Sequence, residues 1–226
     1  MVGDLEEFRD RLAELRLALE PASGLGPYTA NTDGACIGNP GPGGWAAAVT
    51  APGGRHWDLW GFLSSTTNNR AEALGVLGAL EWVPSQAGLH IRSDSELTGR
   101  ILEGRYKARA NADIWHEINR LRAEKGVRLS TEWVRGHAGD AANEHADYLS
   151  RLGASRGDVE AAARLGRAPS GDGTPPELVG LAPLGDWERE FLASVARQLR
   201  SGRALSPKQL TVLERMRART RAQTTT

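Results

Sequence analysis

The spacing of apolar residues changes character several times along the chain. Leu5, Phe8, Leu12, Leu15 and Leu19 recur at alternating steps of three and four, an apolar stripe along one helix that ends at PASGLGP. Two heptads are too short for a stable coiled coil, so the stripe suits docking onto the helix's own domain, with a dimerisation seam as the alternative. Residues 28–33, 44–51 and 55–63 read as strands, separated by the turn-rich NPGPGG and APGG. The period then becomes helical over 69–83, extended over 89–94, helical over 96–103 and 111–125, extended over 127–134 and helical again over 140–152. The order β-β-β-α-β-α-α-β-α predicts an α/β fold with a mixed five-stranded sheet flanked by helices, because helical crossovers require parallel neighbours. Residues 166–186 are dense in Pro and Gly without a period and read as a linker. Beyond it, Trp187, Phe191, Val195 and Leu199 recur every four residues, and Ser206-Pro207-Lys208-Gln209 has a capping-box pattern ahead of Leu210 and Leu213, which predicts a C-terminal helical hairpin.

Composition narrows the class. The 226 residues carry 28 Lys+Arg and 28 Asp+Glu, with 40% hydrophobic content, as in a globular protein. The zero net charge conceals balances of −3 over residues 1–27, −3 over 28–186 and +6 over 187–226. The basic end suggests contact with nucleic acid or an acidic partner, or a solvated helix face. Cys36 is the single cysteine, which excludes an internal disulfide and a multi-cysteine zinc site. Charges interrupt every apolar run, so no membrane span is expected, and the acidic start MVGDLEEFRD is unlike a secretory signal. A cytoplasmic location is expected.

Four acids lie at element ends. Asp33 closes the first strand in TDGAC and Asp94 closes the fourth in IRSDS. If those strands are parallel neighbours, the two carboxylates meet at one sheet edge and repel unless a cation lies between them. Glu72 fits a capping box with Asn69, and Asp147 falls off the Ala142, Ala146, Leu149 stripe, so each has an ordinary reading as a helix cap or a surface acid. Thr67-Asn68-Asn69 adds a hydroxyl and two amides at a helix start, and His137 sits between glycines in a loop. GNPGPGG lacks the Gly-Lys-Ser/Thr ending of a phosphate-binding loop and precedes a strand, which excludes nucleotide binding there.

Taken in order, TDGACIGNPGPGGW, TTNNRAEA, SDS, NADIW and WVRGHAGDAANEHAD closely resemble type 1 ribonuclease H over residues 28–154. The resemblance implies a ribonuclease H-like fold and an endoribonuclease that hydrolyses the RNA strand of RNA–DNA hybrids, leaving 5′-phosphate and 3′-hydroxyl ends. By position, Asp33, Glu72, Asp94 and Asp147 match the family's metal-binding carboxylates and His137 its loop histidine. Two Mg²⁺ ions, replaceable by Mn²⁺, are the implied cofactors; magnesium prefers oxygen ligands, whereas zinc favours nitrogen and sulfur. Cys36, Asn39, Asn68 and Glu72 resemble contacts to RNA 2′-hydroxyls, while Thr67 and Asn111 resemble a pocket for a DNA-strand phosphate.

The chain also departs from some members. Glu96 stands where some have Gln, beside the expected RNA path. Only 20 residues separate Asp94 from Trp115, too few for the longer basic protrusion found in some members. The implied organisation is an N-terminal amphipathic helix and linker at 1–27, a catalytic domain at 28–154, a helix end and Pro/Gly-rich linker at 155–186, and a basic hairpin at 187–226 that assists hybrid binding or docks a replication or repair protein. The alternatives are a non-catalytic hybrid-binding scaffold and a nuclease for double-stranded RNA or branched DNA.

Overall fold

The structure is a computed structural model that describes residues 3–165, 186–201 and 203–223. Strands β1 (Pro27–Cys36), β2 (Gly41–Thr50), β3 (His56–Thr66), β4 (Gly88–Ser93) and β5 (Arg128–Trp133) form one sheet in the order β3-β2-β1-β4-β5. The first three strands pair antiparallel, and β1, β4 and β5 run parallel. The described helices are α1 (Gly3–Ala18), α2 (Asn68–Trp82), α3 (Glu96–Leu102), α4 (Ala112–Lys125), α5 (Ala141–Ala154), α6 (Val159–Leu165), α7 (Asp186–Arg200) and α8 (Pro207–Gln223). None is long and apolar enough to cross a membrane. The mixed sheet, the flanking helices and both terminal helical segments agree with the fold class expected from the sequence. Helix α6 is the addition, in a stretch read as helix end and linker. Most of the expected linker, residues 166–185, lies outside the described residues.

Strand alternation sorts side chains onto two faces. On β2, Trp45, Ala47 and Val49 join the main core, while Ala46 and Ala48 face Leu149 of α5. Helix α2 is buried nearly all round, between the sheet and α4. Two glycines set how closely helices approach the sheet. A Cβ at Gly34 would lie 2.3 Å from the Glu72 amide nitrogen, and one at Gly44 would lie 2.2 Å from the Ser150 carbonyl oxygen. The first residues of α2 and the middle of α5 therefore rest on β1 and β2 backbone, next to Asp33.

The N-terminal stripe docks on its own domain. Phe8, Leu12 and Leu15 are buried, and Phe8 meets Trp45 edge-on at 4.8 Å. Burial of side chains of this size stabilises by roughly 1.5–3 kcal/mol each. Arg11 donates to the Trp60 carbonyl, and the Glu7 carboxylate accepts from the Ser64 amide, which fasten α1 along β3. Asp4 is buried and pairs with Arg70, whose guanidinium also makes two bonds to Asp113, so the acidic start is partly an internal ion-pair network.

The basic end packs on α1 as well. Leu192, Val195, Ala196, Leu213 and Met216 are buried, whereas Trp187, Leu199 and Leu210 are exposed. Of the residues spaced by four, Phe191 and Val195 pack on the core, while Trp187 and Leu199 at the ends of the set do not. Four residues advance 400°, so a strict step of four drifts about 40° per repeat, and the helix buries an i, i+3, i+4 set instead. Arg217 donates to the Leu17 and Arg16 carbonyls, and Arg219 pairs with Glu188, which commits part of the tail's positive charge internally.

Candidate active site

The register of β1 and β4 sets the geometry. Asn31 is opposite Arg92, so two residues further Asp33 and Asp94 stand at the same level, Asp94 just past the end of β4 and Asp33 within β1, which runs to Cys36 rather than closing at Asp33. Glu72 comes from the start of the second turn of α2, which Gly34 allows to sit against β1. Asp147 comes from α5 on the opposite face of the sheet. Both Asp147 and Asp94 act electrostatically on Asp33, and Asp94 acts on Glu72, so the four acids occupy one neighbourhood.

Burial pushes the Asp33 carboxyl up to about 8. The Ser150 hydroxyl donates to it at 2.7 Å and counteracts this, while Asp147 and Asp94 raise it further. Burial is also the main influence raising Glu72, opposed by hydrogen bonds from Ser95, Thr98 and, at 2.9 Å, Asn68. Glu72 therefore serves no capping box: Thr67 is the N-cap of α2, without a side-chain cap bond, and the carboxylate turns toward α3. Asn143 reaches Asp94 at 3.5 Å. Asp147 is not a bare surface acid, because Arg151 one turn on donates to it at 2.8 Å. Arg151 is buried, bonded to the Ala162 carbonyl, and not among the influences on Asp33. It holds one oxygen of Asp147 from the α6 side.

Such a cluster of desolvated, mutually repelling carboxylates fits a divalent cation: it is all-oxygen, and its central acid resists ionising without a compensating positive charge. Asp33, Glu72, Asp94 and Asp147 are the residues that would hold one.

The remaining candidates lie around this edge. His137 is exposed, with φ of 52°, in the loop between β5 and α5. The same loop brings Gly136 against Asp94, where a Cβ would lie 2.5 Å from Oδ2. Cys36 is half-buried against the Thr66 carbonyl. The Asn39 side-chain oxygen Oδ1 accepts from the Asn68 backbone N–H at 3.1 Å, tying the β1–β2 turn to the start of α2. Asn111, the left-handed N-cap of α4, lines a 540 Å³ groove with Thr98, Arg105, Lys107, Arg109 and Trp115. Thr67 is not among the residues lining that groove. Glu96 pairs with Arg100 one turn away.

A sequence profile described as RNase H matches residues 27–155. The chain belongs to the RNase H family. Curated relatives named Ribonuclease H include one from Albidiferax ferrireducens, 42% identical over 136 residues that cover 54% of this chain and 90% of the relative. Another, from Aromatoleum aromaticum, is 37% identical and covers 62% and 95%. The N-terminal RNase H domain of a Mycobacterium tuberculosis protein, solved as a fusion with maltose-binding protein, superposes with a TM-score of 0.50 at 25% identity, covering 62% of this chain and 97% of that one. LC11-RNase H1, isolated from compost by a metagenomic approach, gives 0.50 at 25%, covering 57% and 96%. The chain is thus an enzyme of the RNase H family with helices added before and after the matched region. Ser150, Arg151, Ser95 and Asn143, which tune the four acids, were not singled out from the sequence. Arg151 follows Asp147 by four residues in α5, a spacing the sequence does carry, whereas Ser150, Ser95 and Asn143 reach Asp33, Glu72 and Asp94 through the packing of α5 and α3.

Proposed function

We propose that the chain is a cytoplasmic endoribonuclease that hydrolyses the RNA strand of RNA–DNA hybrids with two bound Mg²⁺ ions, leaving 5′-phosphate and 3′-hydroxyl ends, with residues 28–154 as its catalytic domain. The observation that carries this reading is the gathering of Asp33, Glu72, Asp94 and Asp147 from four elements at one end of the sheet, with the Asp33 carboxyl raised to about 8. When bound, the divalent ions supply activation of water and stabilisation of charge on the attacking and leaving oxygens. Asp33 and Asp94 form the floor of the site, held in register by β1 and β4. Glu72 enters from α2, and Asp147 offers the carboxylate oxygen that Arg151 leaves free. Exposed His137, in the loop between β5 and α5, assists proton transfer or product release in this reading.

Substrate choice rests on the sugar, since only RNA offers a 2′-hydroxyl that donates and accepts in the shallow minor groove. Asn39, Asn68 and Glu72 form a hydrogen-bonded strip suited to reading it, with Cys36, against the Thr66 carbonyl, as a further reader. Asn111 and the basic groove beside it suit a phosphate of the DNA strand, with Thr67 two residues before the groove-lining Asn69. Exposed Arg197, Arg203, Lys208 and Arg215 add a positive surface for hybrid phosphates or for a replication or repair protein.

The test is incubation of a labelled RNA–DNA hybrid with Mg²⁺, Mn²⁺ or EDTA, beside double-stranded RNA, branched DNA and an Asp94→Asn control. Metal-dependent cleavage confined to the RNA of the hybrid supports the proposal, and hybrid binding without cleavage favours the scaffold alternative. For the tail, charge reversal at Arg203, Lys208 and Arg215 replaces truncation, because removing α7 and α8 would uncover α1. Reduced salt dependence of hybrid binding with unchanged kcat is expected.

A further inference from the structure

The tightest grouping of metal-competent side chains among the described residues is separate from the four acids. His56, at the start of β3, Asp58 on the same face two residues later, and His145 of α5 place one ligand atom each within 4.8 Å of one another. His56 Nε2 and His145 Nε2 both stand 2.8 Å from the same oxygen, Asp58 Oδ1. The other oxygen, Oδ2, is buried with no hydrogen-bond partner, although the whole side chain is only 1% exposed. A carboxylate oxygen left in that state is costly, and natural structures rarely tolerate it without an unseen water or ion. Burial alone would raise the Asp58 carboxyl, but hydrogen bonds from His145 and His56 hold it below the usual aspartate value, so the group is anionic.

We propose that His56, Asp58 and His145 form a second metal site, selective for a transition-metal dication of the zinc type. Two imidazoles and one carboxylate form a mixed nitrogen and oxygen donor set of the sort that zinc accepts with water in the fourth position, and one that magnesium disfavours. A second residue supports the imidazole. Thr50 Oγ1 lies 2.9 Å from His56 Nδ1, on the far side of the ring from Asp58. With Nε2 taken by a metal, the ring proton moves to Nδ1 and Thr50 becomes its acceptor, the outer-shell partner that fixes a ligand histidine. Donors around tetrahedral zinc stand about 3.3 Å apart, given bonds of about 2.0–2.1 Å, so the two 2.8 Å contacts open by about half an ångström while the two imidazole nitrogens, within 4.8 Å of each other, settle to that spacing. Both histidines are partly exposed, which gives an ion a way in.

The site is distinct from the catalytic acids. Asp58 is level with Ala48 and Asn31, two strands across from β1 and one pleat short of Asp33, a separation on the order of 10 Å. A bound ion would bolt α5, the carrier of Asp147, to the edge strand β3.

The test uses the full chain stripped with EDTA and titrated calorimetrically with Zn²⁺ in excess Mg²⁺, and with Co²⁺ followed by visible absorption. One Zn²⁺ per chain is expected, with affinity falling at least about tenfold in His56→Gln and in Asp58→Asn but not in Asp94→Asn. The Co²⁺ bands of a low-coordinate site are expected in wild type and lost in His56→Gln, whose partly exposed position leaves folding intact. No binding, binding unchanged in His56→Gln, or binding abolished by Asp94→Asn or by Mg²⁺ would overturn the proposal and leave the trio as a hydrogen-bonded clamp between β3 and α5.

Discussion

Replacing Asp33 by Asn should stabilise the metal-free protein, and the gain should depend on pH. The carboxyl moves from an ordinary 3.8 to about 8 on folding, chiefly through burial. Below about pH 4 both folded and unfolded chains hold its proton, and the residue contributes nothing to the balance. Between 3.8 and about 8 the folded chain alone keeps the proton, so unfolding releases it and stability falls as pH rises, by up to about 1.4 kcal/mol per pH unit. Over the whole interval the ceiling is roughly 6 kcal/mol, and water at the open edge of the site lowers the expected loss at neutral pH to about 2 kcal/mol. Asn carries no charge and keeps an oxygen for the Ser150 hydroxyl, so it escapes that loss. Thermal melts in EDTA should show the variant about 4–8 °C more stable near neutral pH and level with wild type at about pH 4. A variant less stable at neutral pH, or a gain of equal size at both pH values, would refute the account of Asp33 as a desolvated acid among like charges. Saturating Mg²⁺ should close the gap by stabilising only the wild type.

Gly34→Ala should cost at least about 2 kcal/mol by chemical denaturation, because the added Cβ meets the Glu72 amide at 2.3 Å and must displace α2 from β1. Arg70→Leu leaves the Asp4 carboxylate buried without its cation and should cost about 3–5 kcal/mol in the same assay, with a smaller loss for the half-exposed partner in Asp113→Asn. Ser150→Ala removes the hydrogen bond that lowers the Asp33 carboxyl. An NMR titration should then place Asp33 higher by somewhat under one pH unit, equivalent to about 1 kcal/mol, and more Mg²⁺ should be needed at neutral pH for the same stabilisation.

Much of this architecture is legible in the chain because it follows from local rules. Turn-rich GNPGPGG and APGG punctuate extended segments, and the i, i+3, i+4 spacing of Leu5, Phe8, Leu12 and Leu15 marks a face that is buried in the fold. Asp94 directly follows β4, whereas Asp33, read as closing its strand, lies within β1, which runs on to Cys36; their meeting needs only the parallel pairing of β1 with β4 that a helical crossover supplies. Even there local reading has limits. A step of four along α7 took in Trp187 and Leu199, yet both are exposed, because that step drifts off the i, i+3, i+4 face of Leu192, Val195 and Ala196 that the helix buries.

The residues that tune the site belong to the other category. Glu72 looks like a helix cap in its own segment and becomes a site acid only because Ser95 and Thr98 arrive from another element. Ser150 reaches Asp33 through the way α5 lies on the sheet, which the backbone at Gly44 permits, whereas Arg151 meets Asp147 within its own helix. His56, Asp58 and His145 are spread over 90 positions, and the paired histidines around one buried oxygen exist only in three dimensions. Short-range spacing therefore determined which elements form and which acids stand at their ends, since a period of two or of 3.6 is a property of neighbours in the chain. Proton affinity, pairing and metal competence were decided by the tertiary structure, because they depend on desolvation and on charges within a few ångströms, which chain separation does not encode.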